Sequence, residues 1–101
     1  MKVIYTDQSI KSLEETLNFA IRELGLSYEK AMLIKDQLLK RADSLSQNPN
    51  KGQQEEFLEH LKESHRRLIE GHFKIIYRIQ GKIIYITDFF DTRQDPEKMK
   101  G

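Results

Sequence analysis

The sequence predicts an α+β fold. A short N-terminal strand leads into an antiparallel helical hairpin, and a three-stranded antiparallel meander follows, with the helices packed on one face of the sheet. Three observations predict it. Apolar residues recur at three- and four-residue steps through residues 10–45, the spacing of an amphipathic helix. From residue 65 onward, β-branched and aromatic residues dominate and the period falls towards two. Two dipeptides, Glu70-Gly71 and Gln80-Gly81, divide that region as tight hairpin loops do.

"KVIYT" is short and β-rich, so it reads as the first strand. Asp7 or Ser9 is placed to cap the next segment, whose stripe is Ile10, Leu13, Leu17, Ala20, Ile21 and Leu24. Gly25 ends that helix in the C′ position. Ser27 caps a second helix with Ala31, Ile34, Leu38, Ala42 and Leu45 on one stripe, and Met32 and Leu39 at its edges. The "GLS" linker is short enough to force an antiparallel hairpin. "SQNPNKGQQ" is a loop by composition. "EEFLEHLKES" fits either one helical turn or a loop with its apolar residues tucked in.

The 101 residues suit a single domain, 1–101, with 38% hydrophobic and 33% charged residues. No apolar run approaches the ~18 residues of a membrane span, and "MKVIYTDQ" lacks the apolar core of a signal peptide. The chain has no cysteine, which removes disulfides and thiolate metal sites and fits a reducing cytoplasm. No ligand spacing for a metal is evident, and no cofactor is expected.

Net charge is +1, but residues 60–82 carry 6 Lys/Arg against 2 Asp/Glu, together with His60, His65 and His72. A basic centre between near-neutral flanks points to an anionic partner. Register assigns that charge to a face. With Glu70-Gly71 and Gln80-Gly81 as the loops, Arg67 pairs with Lys74, Ile76 with Tyr85, and Lys74 with Thr87. One face then carries Leu68, Phe73, Ile75, Tyr77, Ile79, Ile84, Ile86 and Phe90, and the helices should cover it. The other carries His65, Arg67, His72, Lys74, Arg78, Tyr85 and Thr87, with Ile76 and Phe89 among them, and continued alternation adds Asp91 and Arg93. Like charges directly opposite across strands destabilise, so Arg67 beside Lys74 calls for a neutraliser. Glu70, Asp91 or an external anion is the candidate. On this reading the cations are surface groups, and removing Lys74 or Arg93 should change stability by no more than about 0.5 kcal/mol.

The first strand, the helical hairpin, the "NPNKG" loop, "RLIEGHFKIIYR" and "FFDTRQDP" together resemble the RelE/ParE superfamily of bacterial toxins. The similarity spans nearly the whole chain and slightly favours the ParE branch. It implies the toxin of a type II toxin–antitoxin (plasmid stabilisation) module, cytoplasmic, neutralised by a cognate antitoxin in a hetero-oligomer. ParE-like members poison DNA gyrase without an evident nuclease centre. RelE-like members cleave mRNA on the ribosome, and Arg67, Lys74 and Arg93 fall where these place catalytic cations. His65 or His72 would then stand in as acid or base, because the usual acid–base position aligns near Met99, which transfers no proton. Met32, Leu39 and Phe57 are the candidate apolar contacts for an antitoxin. Outside this family, a non-enzymatic RNA-binding domain would use the same basic sheet, with Tyr85 and Phe89 as stacking surfaces.

Overall fold

A computed structural model describes residues 1–101. The elements are β1 (Lys2–Tyr5), α1 (Asp7–Leu24), α2 (Tyr28–Asp43), β2 (Gln53–Gln54), β3 (Arg66–Glu70), β4 (Phe73–Gln80) and β5 (Ile83–Asp91). Single 3₁₀ segments lie at Ser44–Ser46, Glu56–Leu61 and Pro96–Lys98. The helical hairpin and the β3–β4–β5 meander are as expected. The sheet gains a two-residue strand, β2, and its order is β1-β5-β4-β3-β2 with β1 parallel to β5. The ambiguous "EEFLEHLKES" stretch is the second 3₁₀ segment. No helix is long and apolar enough to cross a membrane.

Thr6, rather than Asp7 or Ser9, caps α1: its side chain accepts from the Ser9 amide at 3.1 Å. Ser27 caps α2 in the same way. The buried stripe of α1 is rotated from the expected one. Ser9, Ser12 and Thr16 join Leu13, Leu17 and Ala20 inside, while Ile10 is 57% exposed. Of these, Ser12 serves β5, which runs on past the end of β1. There α1 takes over the unpaired backbone: Thr6 Oγ1 donates to Ile86 O, Gln8 Nε2 donates to Thr87 O, and Phe89 N donates to Ser12 Oγ.

Both hairpin loops sit one residue later than expected, at Gly71-His72 and Gly81-Lys82. The glycines have φ of 60° and 61°, so each occupies the first loop position, as in a type II′ turn, and not the second. Register therefore moves by two places and the faces survive, because a two-residue shift preserves side-chain parity. Arg67 lies opposite Ile76, and Lys74 opposite Ile69. A β-bulge then breaks parity: Tyr77 pairs with Ile86 but Ile76 pairs with Asp88, leaving Thr87 as the extra residue. Beyond it β5 is inverted. Phe89 enters the helix-covered core and stacks on Tyr5 at 6.4 Å, while Phe90 turns to the outer face, which reverses the expected assignment of these two residues.

Two apolar layers result. The larger holds Leu13, Leu17, Ala31, Leu38, Leu45 and the inward residues of the meander. The smaller, on the outer face, holds Leu58, Ile76, Phe90 and Met99, so the second 3₁₀ segment and the chain after β5 partly cover the expected open face. Tyr77 fastens the loop before β2. Its hydroxyl accepts from Gly52 N at 3.0 Å and from Arg66 Nε at 3.3 Å, and donates to Pro49 O at 3.0 Å.

Candidate functional site

Arg67 from β3 and Lys74 from β4 share the outer face, but as diagonal neighbours. The neutraliser is neither Glu70, which pairs with Arg41 at 3.3 Å, nor Asp91, which pairs with Arg93. It is Glu55, only 3% exposed. Lys74 Nζ donates to Glu55 Oε1 at 2.7 Å, and Arg67 Nη1 lies 3.8 Å from the same oxygen. Glu55 Oε2 accepts from Phe57 N at 3.0 Å. Arg67 also donates to Gln54 O at 2.5 Å and to Gln53 Oε1 at 3.3 Å. Nothing in "QQEEF" distinguishes Glu55 from its neighbour Glu56, since both read as solvated carboxylates. The 3₁₀ turn that folds Glu55 under Phe57 makes the difference. These residues edge a groove of about 460 Å³, walled by Phe57, Ile69, Phe90 and Met99.

The remaining candidates disperse. Arg93 grips Asp91 with two side-chain bonds of 2.8–2.9 Å and lies 6.0 Å from the centre of the Phe73 ring. Asp91 pairs with Phe73, a residue of the helix-side layer, so Arg93 does not converge with Arg67 and Lys74 as expected. The Asp91 hydrogen bond, opposed by partial burial, raises the Arg93 pKa further. His65 is 2% exposed, and its Nε2 lies 2.9 Å from Gly101 O. His72 is an exposed turn residue whose carbonyl accepts twice from Thr92. Arg78 stacks over Tyr85 at 4.9 Å, its direct partner across the strands, where the expected register had set Tyr85 opposite Ile76. Thr87 is buried in the bulge and contributes nothing to an open face. Met99 is packed in the outer apolar layer.

The three candidate antitoxin contacts occupy three places. Met32 lines a groove of about 460 Å³ between the helices, with Ile10, Leu13, Leu17, Ile21 and Tyr28. Leu39 is half-buried against the main core, and its carbonyl accepts from the Tyr5 hydroxyl. Phe57, 45% exposed, stands on the other side of the sheet.

Asp88 is an acid that sequence reading passed over. It is 2% exposed, and Oδ2 accepts from Lys100 N at 2.9 Å. Burial pushes its carboxyl up to about 6, against the downward pull of the Lys100 and Phe89 amides, the Ser12 hydroxyl and the Lys100 charge. The folded state therefore holds a proton that the unfolded chain releases near 3.8. Its stabilising contribution is full below that value and is lost as pH rises through about 6. Between pH 4 and pH 7, urea denaturation should show Asp88→Asn gaining on the wild type by about 2 kcal/mol. An unchanged difference would remove Asp88 as the titrating group.

The sequence matches the family described as "ParE toxin of type II toxin-antitoxin system, parDE" over residues 3–96. No curated protein matches it. Among solved structures, a chain described as "Chromosomal ParDE TA system from P. aeruginosa" superposes with a TM-score of 0.70 at 22% identity, covering 90% of this chain and 95% of that one. That likeness shows the shared fold, and the family match spans β1 through the start of the last 3₁₀ segment. The chain belongs to the ParE toxin family of type II toxin–antitoxin systems.

Proposed function

We propose that the chain is the growth-arresting member of a ParDE pair, that a cognate antitoxin neutralises it in a hetero-oligomer in the cytoplasm, and that it acts on DNA gyrase and not by cutting mRNA. One observation carries the choice of target. The cations that a nuclease would aim at a phosphate are engaged internally, Lys74 and Arg67 by Glu55 and Arg93 by Asp91 on the other layer. Phosphoryl chemistry needs preorganised donors directed at one developing charge, with an acid and a base beside it. Here the candidate bases are a buried His65 and a remote His72, and Met99 stands where the family's ribosomal branch uses a proton carrier. The inter-helix groove around Met32 offers an antitoxin an apolar seat, and an amphipathic segment suits such a groove.

Inducible expression in bacteria tests this reading. The expected result is slowed growth, relief by the co-expressed antitoxin, gyrase-dependent DNA damage and intact mRNA. Cleaved ribosome-bound mRNA would install the RelE-like reading instead. Normal growth with soluble protein would overturn the toxin assignment.

A further inference from the structure

After the Asp91–Arg93 pair the chain turns back over the outer face. Asp95 caps the Pro96–Lys98 turn by accepting from Glu97 N at 3.0 Å. Met99, 7% exposed, then seats in the small apolar layer with Leu58, Ile76 and Phe90. The next two residues are held through their main chain. Lys100 N donates to Asp88 Oδ2, and Gly101 O accepts from His65 Nε2, each at 2.9 Å. His65 and Asp88 are both 2% exposed. The Nδ1 atom of His65 has no partner, so the contact with Gly101 is the ring's one hydrogen bond, and the Glu63 carboxylate is 3.8 Å from the same Nε2. A side chain at position 101 would have no room: a Cβ there would lie 2.5 Å from Leu61 Cδ1 and 2.8 Å from His65 Cε1 and Nε2.

We infer that residues 96–101 are a releasable strap, bound in cis to a peptide-docking groove on the outer face of the sheet. Leu58, Ile76 and Phe90 receive an unbranched apolar side chain, Asp88 takes the following amide, His65 holds the next carbonyl, and crowding at His65 requires glycine. The groove thus reads an apolar residue, any residue, then glycine. The strap makes no ladder with the sheet, and Asp95–Lys98 are exposed. One side chain and two main-chain bonds, with a 4.0 Å ion pair between Lys100 and Glu15, must offset the ordering of the whole segment. Opening is therefore local and comes at low cost. The main core lies on the opposite face and stays closed when the strap leaves. Release uncovers Ile76 and Phe90, an apolar patch between the Lys74–Glu55 pair and the Arg78–Tyr85 stack.

Limited trypsin digestion of the full chain reads the strap through cleavage after Lys98 and Lys100. Gly101→Ala and Met99→Ser should each raise clipping at Lys98 at least about tenfold while lowering the melting temperature by only several degrees, because a local opening, unlike global unfolding, exposes only these bonds. A labelled peptide of residues 96–101 should then bind the Gly101→Ala chain in anisotropy titrations, and should not bind the wild type, whose groove is filled. Equal clipping of wild type and both variants would show that nothing latches the strap. Clipping only at the rate of global unfolding would show that the segment belongs to the cooperative fold. A sprung variant that ignores the peptide would show that the groove is no docking site. Each of these three results overturns the proposal.

Discussion

Lys74→Ala and Arg93→Ala are each expected to destabilise the fold by about 3 kcal/mol, because each leaves a buried carboxylate without its main partner. Glu55 is 3% exposed, and after loss of Lys74 its nearest cation is Arg67 at 3.8 Å. Asp91 is fully buried and would keep only the Arg93 backbone amide. This replaces the expectation that these cations are surface groups whose removal is neutral. Urea midpoints at pH 7 measure the effect. A double change, Glu55→Leu with Lys74→Met, should recover most of the stability, since apolar pairs commonly replace buried ion pairs without loss. If Lys74→Ala keeps the wild-type midpoint, Glu55 does not depend on the pair. Toxicity lost in these single variants has to be weighed against folded protein before it is assigned to a lost contact with a target.

Gly52→Ala is the second large effect, also expected near 3 kcal/mol, at the upper end of overpacking costs. Gly52 passes between β3 and the Tyr77 hydroxyl. A methyl there would run into the Arg67 carbonyl and come within 2.6 Å of the hydroxyl oxygen. Relief requires moving β2 off β3, which sacrifices the Gln53–Arg67 pairing and the bond from Gly52 N to Tyr77. Gly71 provides the control. It has φ of 60°, but a Cβ added there would meet nothing within 4 Å, so Gly71→Ala meets only backbone strain of about 1–2 kcal/mol. Thermal denaturation of the two variants side by side separates crowding from strain. Equal shifts would mean that the Gly52 passage can widen.

Much of the sheet was legible because the meander's apolar residues alternate, and alternation assigns faces whatever the loop register. Leu68, Phe73, Ile75, Tyr77, Ile84 and Ile86 all reach the helix-side core as read. Two features were not legible. The bulge at Thr87 leaves no local mark, since "ITDFFD" is β-prone in either phase, and it exchanged Phe89 with Phe90 and carried Arg93 away from Lys74. The partners of the cations lay beyond reach for a different reason. Glu55 meets Lys74 across 19 residues of chain, a contact fixed by a 3₁₀ turn that the pattern left open between turn and loop. The residue types of the candidate site were thus visible, but whether they faced outward or into one another depended on long-range packing.

The parallel pairing of β1 with β5 also bears on when the protein can become itself. Lys2 meets Ile83 and Tyr5 meets Ile86, so β1 cannot pair until β5 has been made. Closing so long a loop is slow and brings no gain until both ends are present. Until residues 83–91 emerge, β4 lacks its central neighbour and α1 lacks the strand whose backbone its Ser12 and Gln8 satisfy. A nascent chain of this topology therefore cannot complete its sheet before residues 83–91 have emerged, and the working surface comes into being only then.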